Sequence, residues 1–444
     1  MIPLPQDPQG AALPGQNVGN VENVHPVALA ALALLSVAAL MVPRRRIPVP
    51  LLILMCFIPS GQRLLLFTLD FSFLRILLIA CWARLLLRSE LRRLSWNHLD
   101  RAILAWAAVQ LAAGTILGGS VGSAVNGLGV AFDSIGTYFL FRQVIRTHED
   151  LDRIATCAIW IGAPVLAAFA VEYATHRNVF SVFGGVPEIT FEREGRLRCQ
   201  GAFAHPILAG CFWGLFLPLF AGLWFRRKER GLAVLGICIA LAIVVLCASS
   251  TPVLSILAAC LSLAAWFVRP ALRWVRWMAV FAVVGLHLVM KAPVWHLISR
   301  IDVAGGSTGA HRYRLIDAAI RNLSEWAAIG TPSTEHWGWG LGDVTNQYVA
   351  EGVRGGAVRL AVFLCAISLA FAGVSRAMRS PARRGEKIAI WALGTVLFVH
   401  CVNFVAVSYF GQITELWYLT LAAIGSLGLV PGAKSGAAVG PTAH

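Results

Sequence analysis

The chain has 444 residues, of which 58% are hydrophobic and only 13% are charged, and its formal net charge is +15. Soluble domains carry about 25% charged residues, so this composition excludes a soluble protein with an ordinary polar surface. The positive charge does not predict nucleic-acid binding, because the arginines form short clusters at the ends of apolar blocks, where membrane topology requires them.

The apolar blocks are about as long as the roughly 17–25 residues that a membrane-spanning helix needs. None alternates between apolar and polar residues as a transmembrane barrel strand does. We therefore predict an all-α fold, a polytopic transmembrane helical bundle of about 13 spans. The predicted spans are 27–43, 47–62, 66–87, 101–118, 124–142, 154–172, 204–225, 231–248, 251–268, 272–290, 354–375, 387–406 and 414–431.

The two ends of the chain have a different composition. The start is polar and rich in proline and glycine without a basic segment, which indicates a disordered tail and not a signal peptide. We expect three parts: an external tail over 1–26, a transmembrane domain over 27–432 and a cytoplasmic tail over 433–444.

Nine of the ten cysteines fall inside apolar blocks, where a thiol behaves as a small hydrophobic group. Cys199 alone lies in a polar loop, and no Cys/His spacing typical of a metal site occurs. We expect neither a disulfide, nor a bound metal, nor a cofactor.

Basic clusters at alternating connections predict the orientation. They all fall on the cytoplasmic side if the N-terminus is outside. The clusters are Arg44–Arg46, Arg88–Arg93, Arg142–Arg153, Arg226–Arg230, Arg269–Arg276 and Arg376–Lys387. This arrangement puts the two long polar loops, 173–203 and 291–353, together on the outer face.

Both outer loops nevertheless contain arginines, which translocated loops normally lack, so these arginines are candidates for function. Within the second loop, His311–Ala327 has an amphipathic helical pattern. Its apolar side is predicted to carry Leu315, Ala319, Leu323 and Trp326. A helix lying on the membrane surface would present Arg312 just above the bilayer.

Short motifs in the two loops carry a family resemblance. The first loop ends with RCQGAFAHP from Arg198 to Pro206, and the second contains GAHRYRLIDAAI from Gly309, then WGWGLG, then Asn346-Gln-Tyr348. In order and placement these motifs resemble the O-antigen ligase and polymerase superfamily, particularly its exopolysaccharide (Wzy-type) polymerase branch. The family pattern is R-x-x-G-x-F-x-x-P before a span, then a G-x-x-R helix, a G-x-G segment and an H-N-x-Y turn.

The resemblance implies a bundle like that of C-type glycosyltransferases in the bacterial cytoplasmic membrane. Such enzymes move a glycan from undecaprenyl pyrophosphate to an acceptor hydroxyl at the outer face, without ATP or metal. Guanidinium groups hold phosphate oxygens through paired hydrogen bonds and stabilise the departing charge. By resemblance, Arg198 and Arg312 bind the pyrophosphate, and Arg196 and Arg314 support them.

The residue that activates the acceptor is open. Thr345 stands where the family has the histidine of its H-N-x-Y turn, which leaves Asn346 as the matched polar residue. General-base candidates near the loops are His311, His336, Glu335 and His205. His205, directly before Pro206, is equally interpretable as a residue that starts a helix.

Ionisable side chains inside spans are costly and are functional candidates by default. Arg75 and Asp133 both lie inside predicted spans. Arg75 either faces the lipid pyrophosphate, as a substrate-binding residue, or pairs with Asp133 within the bundle.

The leading hypothesis is an inverting polymerase that joins lipid-linked repeat units into exopolysaccharide or O-antigen. A flippase and a chain-length regulator of the same pathway are the expected partners, together with membrane lipid and a glycan or lipid acceptor. The second hypothesis is an O-antigen ligase that uses lipid A core as acceptor. A transporter or flippase of a lipid-linked or anionic substrate is the alternative of another class, but neither inverted repeats nor mid-span polar residues favour it.

Overall fold

The computed structural model describes residues 24–66, 69–300 and 309–427, and it is mostly helical, with 74% of the residues in helices. The predicted tail 433–444 and most of the tail 1–26 lie outside the described residues.

The described helices are numbered in chain order. They are α1 Pro26–Met41, α2 Pro48–Phe57, α3 Phe73–Leu87, α4 His98–Gly118, α5 Val121–Val144, α6 His148–Thr175, α7 Pro206–Leu223, α8 Arg230–Leu246, α9 Ser250–Ala264, α10 Leu272–Val289, α11 Gly309–Arg321, α12 Leu323–Trp326, α13 Gln347–Val353, α14 Gly356–Arg379, α15 Arg384–Ala406 and α16 Gln412–Ser426. Two antiparallel hairpins accompany them: β1 Arg63–Leu66 with β2 Leu69–Ser72, and β3 Glu192–Arg193 with β4 Arg196–Leu197.

A helix lies in each of the predicted spans. Six of the described helices, α4, α6, α7, α10 with its preceding turn, α14 and α15, are long and apolar enough to cross a membrane. Three shorter helices, α1, α8 and α9, are also apolar. The chain thus has the helices of a membrane protein, and the count of about 13 spans stays a prediction.

The prediction for the second and third spans is wrong in detail, and the fold is not purely helical. Helix α2 ends at Phe57, and residues 63–66 and 69–72 form the antiparallel strands β1 and β2 where we expected the start of a span. Helix α3 begins only at Phe73, because the Ser72 hydroxyl accepts the free backbone N–H of Arg75 and caps the first turn.

The predicted amphipathic helix is divided at Asn322, whose backbone is not helical, into α11 and α12. Leu315, Ala319 and Trp326 are buried as expected. Leu323, which was placed on the same side, is 50% exposed. The break at Asn322 turns Leu323 away from the apolar side of α11.

Helix α7 forms the centre of the bundle. In its most apolar stretch, 83% of the residues are buried within the protein, and it packs against α8, α9 and α15. The rings of Phe216 and Phe220, one turn apart, stack with their centroids 5.7 Å from each other. A helix that is apolar on all sides belongs in the interior of such an assembly.

The basic connections gather at one end of the bundle. The Arg44 guanidinium donates to the Val144 carbonyl at 2.6 Å, and the Arg146 guanidinium donates to the Glu90 carbonyl at 2.8 Å. At the other end, the backbone N–H of Cys199 in loop 173–203 donates to the Leu246 carbonyl, where α8 ends. Loop 291–353 reaches the same turn between α8 and α9. Both long loops therefore lie at the end opposite the basic connections.

Buried ion pairs join helices that are distant in sequence. Asp100 on α4 is fully buried and accepts from Arg142 on α5, at 2.9 Å from Nε and 3.0 Å from Nη2. The Tyr138 hydroxyl donates to the same carboxylate at 2.7 Å. The Asn97–Asp100 capping box starts α4 at this point. One carboxylate thus fixes both the start of α4 and its contact with α5.

Replacing Asp100 with alanine is expected to destabilise the protein by about 3–5 kcal/mol, because it leaves the buried guanidinium of Arg142 without a counter-charge. The measurement is thermal unfolding of the purified protein. The matched control is Asp70→Ala, which removes an exposed partner of Arg63 and should cost less than about 1 kcal/mol. Equal losses from the two variants would contradict this assignment.

Candidate functional site

A buried carboxylate fixes the turn that carries Arg198. Glu172, at the end of α6, accepts from the backbone N–H groups of Gln200 and Gly201, each at 3.0 Å, and from the Thr190 hydroxyl at 3.1 Å. Gly201 has φ +58°, and a side chain there would meet the Phe169 ring at 2.3 Å. Both the left-handed backbone and the close approach require glycine at this position.

The Arg198 side chain is buried without a partner. It is only 6% exposed, and its Nε finds no hydrogen-bond acceptor anywhere in residues 24–66, 69–300 and 309–427. Burial, reinforced by the neighbouring positive charge of Arg193, lowers the pKa of this guanidinium. Both causes make the charged form of Arg198 less stable. A bound anion would supply the missing counter-charge and would itself be stabilised by the guanidinium.

Arg312 is also buried and has only neutral partners. Its side chain is 8% exposed, with Nε donating to the Ala406 carbonyl at 3.1 Å and Nη2 donating to the Thr251 hydroxyl at 3.0 Å. Burial lowers the pKa of this group. The side chain points into the protein and binds the end of α15 and the start of α9, and its position just above the bilayer stays a prediction.

These two arginines differ from the other buried arginines of the described chain. Arg84, Arg142 and Arg359 each form an ion pair with a carboxylate, at 2.6, 2.9 and 2.7 Å. Neither Arg198 nor Arg312 has such a partner among the described residues. A buried charge without a counter-charge is costly, so Arg198 and Arg312 both lower the stability of the bundle.

The two loops that carry the arginines meet at shared connections between helices. Next to Arg198, the N–H of Cys199 binds the Leu246 carbonyl at 3.1 Å, and Arg312 binds Thr251 just across the α8–α9 turn. Gln412, at the start of α16, donates to the Ala202 carbonyl at 2.8 Å. Arg312 holds the other end of the α15–α16 connection. The fold therefore brings together two arginine motifs that are far apart in sequence.

The Asn-x-Tyr motif is tied into the same end of the bundle. Asn346 caps α13 by accepting from the N–H of Val349 at 3.1 Å, and its Nδ2 donates to the Val405 carbonyl at 3.0 Å. Both polar atoms of the amide are thus engaged within the protein, which suits a positioning residue. The Thr345 hydroxyl, at the place of the family histidine, is buried and has no partner in the described chain.

The candidate bases occupy different environments. His205 accepts the N–H of Ile207 on its Nδ1 at 3.1 Å and so starts α7, which is one of the two roles that its sequence context allowed. His311 is half-buried, with Nε2 at 3.2 Å from the Asp343 carbonyl oxygen. His336 lies 3.0 Å from Glu325.

The remaining loop candidates lie at the surface. Arg196, Arg314 and Glu335 are all exposed. Burial therefore separates Arg198 and Arg312 from the arginines that were expected to support them.

Arg75 pairs with Asp133 within the bundle, which is the second of the two alternatives that the sequence left open. Its guanidinium forms two hydrogen bonds with the Asp133 carboxylate, at 2.9 and 2.7 Å, and a third with the Asp70 carbonyl at 2.5 Å. Gly129 leaves room for it, since a side chain there would meet the guanidinium at 2.7 Å. This engagement favours a structural role over direct binding of pyrophosphate.

Glu172 and Glu415 are site residues that the sequence analysis missed. Both lie inside predicted spans, where an ionisable side chain is a functional signal. We applied that signal only to Arg75 and Asp133. Gln412 has no comparable signal, because an amide at the start of a span is common.

Comparison with known proteins does not identify the chain: no protein-family model matches it, and no curated protein sequence is similar to it. The family resemblance therefore rests on the loop motifs.

Changing Glu172 to glutamine is expected to loosen the turn that carries Arg198. The amide replaces one accepting oxygen by a donor that faces a backbone N–H, and a hydrogen bond to a charged group contributes about 1.5–3 kcal/mol. Amide hydrogen exchange should rise across residues 198–203 of the full-length protein. The matched control is Glu149→Gln, an exposed carboxylate on the same helix, which should leave that segment unchanged. Unchanged exchange in Glu172→Gln would contradict the assigned role.

Proposed function

We propose that the protein is a membrane glycosyltransferase that polymerises undecaprenyl-pyrophosphate-linked repeat units into exopolysaccharide or O-antigen. One observation carries the proposal: Arg198 and Arg312 are buried without a carboxylate partner, and their loops meet at the same turn. Both residues also stand at the arginine positions of the motifs that resemble the polymerase family.

The charge of the site suits a pyrophosphate leaving group. As the glycosidic bond breaks, negative charge accumulates on the pyrophosphate oxygens. Guanidinium groups that are already fixed in a water-poor site stabilise that charge without reorganisation. The neutral partners of Arg312, the Thr251 hydroxyl and the Ala406 carbonyl, orient its guanidinium without cancelling the charge. This chemistry needs no metal.

The membrane placement belongs to the same proposal. We infer about 13 spans in the bacterial cytoplasmic membrane, with the N-terminus outside and the two loops at the outer face. The gathering of basic connections at the opposite end of the bundle supports this orientation, since basic residues collect on the cytoplasmic side. By resemblance the bundle is similar to that of C-type glycosyltransferases.

His311 is the best-placed candidate to accept the proton of the acceptor hydroxyl. A carbonyl oxygen can only accept, so the contact of Nε2 with Asp343 puts the ring proton on that nitrogen. Nδ1 then keeps its lone pair and can act as a base. His311 also directly precedes Arg312, which brings it close to the proposed leaving group.

The polymerase and the O-antigen ligase differ in what accumulates when the enzyme is lost. We expect a deletion strain to accumulate single lipid-linked repeat units, because each unit would remain unjoined on its carrier. Extraction of the carrier-linked saccharide and measurement of its size provide the test. Long chains on the carrier would instead identify a ligase, and an unchanged external carrier pool would favour a transporter.

Replacing Arg198 or Arg312 with alanine is expected to reduce polymer synthesis about 100-fold or more, because each supplies a fixed donor to the developing charge. Lysine should restore little, since it cannot make two parallel hydrogen bonds to phosphate oxygens. Polymer yield and length are measured in the deletion strain, together with the amount of protein in the membrane.

Exposed arginines of the same loops provide matched controls. Arg177→Ala in the first loop and Arg321→Ala in the second each remove a surface ion pair and should leave polymer synthesis within about two-fold of the unmodified protein. Normal polymer from the Arg198 and Arg312 variants at normal protein levels would refute the pyrophosphate site.

A further inference from the structure

A second polar site lies beside the α15–α16 connection. Helices α2, α3, α5 and α16 enclose a cavity of about 220 Å³. One part of its wall is apolar, with Leu54, Phe73 and Val130, and another part is polar, with Asp133, Glu415 and Tyr418. Small-molecule sites are typically concave and mostly apolar with a few placed polar groups, which is the composition found here.

Glu415 is the unusual member of this wall. It is 5% exposed, and its Oε2 is sealed from solvent, with neither a hydrogen bond nor an ion pair in the described chain. In every other buried carboxylate of the described residues, both oxygens have a partner. These carboxylates are Asp100, Asp150, Glu172 and Glu351. A buried carboxyl oxygen that is left free at a cavity wall indicates that its partner is a ligand.

The charges around the cavity limit what that ligand can be. Asp133 is neutralised by Arg75, and Arg63 is neutralised by Asp70. Arg63, which lines the cavity, is therefore paired, and the described residues of the wall offer no unpaired cation to a negatively charged ligand. A neutral ligand with hydrogen-bond donors suits the free Oε2 of Glu415.

A sugar ring meets these requirements. Its hydroxyl groups donate to the carboxylate, while its C–H faces lie against the apolar wall. The cavity is smaller than the roughly 300–1,000 Å³ of sites for drug-sized molecules, so it holds one ring and not an oligosaccharide. A phosphate-bearing group would be attracted to the two buried arginines, which do not line this cavity.

Gln412 connects the wall of the cavity to the loop that carries Arg198. This residue lies one helical turn before Glu415, lines the same cavity, and binds the Ala202 carbonyl four residues after Arg198. We propose that the cavity binds one neutral sugar residue of the acceptor glycan, with its hydroxyl groups donating to Glu415. The identity of that sugar as the acceptor rests on the proposed polymerase function.

The test is saturation-transfer NMR titration of the full-length protein in lipid nanodiscs, without any sugar-headed detergent that would compete. The probes are the neutral methyl glycosides of glucose, galactose and mannose. At least one should bind, and Glu415→Gln should weaken its binding about ten-fold or more, because the amide replaces a carboxyl oxygen by an NH₂ group that cannot accept the sugar's hydrogen bond. Val130→Phe, which fills the cavity and leaves Glu415 intact, should abolish binding.

One further variant and one further measurement show whether the result is specific. Leu128→Phe, on the same helix but 58% exposed, should bind the probe as the unmodified protein does. Thermal unfolding of all variants checks that each is folded. The proposal is overturned if none of the glycosides binds, if Glu415→Gln and Val130→Phe bind normally, or if Leu128→Phe loses binding equally.

A cation is the competing occupant of a lone carboxylate. Dicyclohexylcarbodiimide, which modifies carboxyl groups in apolar surroundings, should label Glu415, and the bound glycoside should slow that labelling. Protection by Na⁺ without protection by the glycosides would overturn the proposal in favour of a cation site.

The result separates this proposal from the polymerase function. Arg198→Ala and Arg312→Ala should bind the glycoside normally, because neither residue lines the cavity. Absence of glycoside binding, together with loss of polymer in the arginine variants, would remove the sugar site and leave the polymerase function standing. Glu415-dependent binding, together with normal polymer in the arginine variants, would leave the sugar site standing and remove the polymerase function.

Discussion

The structure depends on one electrostatic constraint: a charge buried among apolar helices must be neutralised or bound by hydrogen bonds. Coulombic attraction is strong in such surroundings, and desolvation is correspondingly costly. The bundle meets this constraint with pairs that also join helices, such as Arg142 with Asp100 and Arg359 with Glu351. The same pairs therefore remove the cost of burial and determine which helices are neighbours.

The exceptions to this rule all lie at one end of the bundle. Arg198 and Arg312 have no carboxylate partner in the described chain, and the Oε2 of Glu415 has no hydrogen-bond partner there. Gln412 connects the two kinds of exception through its bond to Ala202. Two unpaired guanidinium groups and a separate carboxyl group suit the proposed reaction, in which a pyrophosphate-linked donor meets a neutral acceptor. The local cost is consistent with stability being lost at functional sites and recovered elsewhere.

Much of the fold was predictable from local pattern. Apolar block length predicted the helices, since each span must satisfy its own backbone hydrogen bonds. The strands 63–66 and 69–72 were mispredicted because a short apolar hairpin and the end of a span have the same composition. Loop motifs pointed to Arg198 and Arg312 as pyrophosphate-binding residues and to Arg196 and Arg314 as supporting ones. Burial distinguishes the two pairs, and burial depends on residues far away in the chain.

The sequence by itself determined the class of protein, the helical segments and the two loops that carry arginine, because these follow from composition and from spacing within one segment. Only the tertiary structure decided that both loops meet at the α8–α9 turn, that Arg75 is occupied by Asp133, and that the Oε2 of Glu415 has no hydrogen-bond partner in the described chain. The physical reason is that charge pairing is a relation between distant segments. Whether a buried group is neutralised depends on which side chains the folded bundle brings within hydrogen-bonding distance.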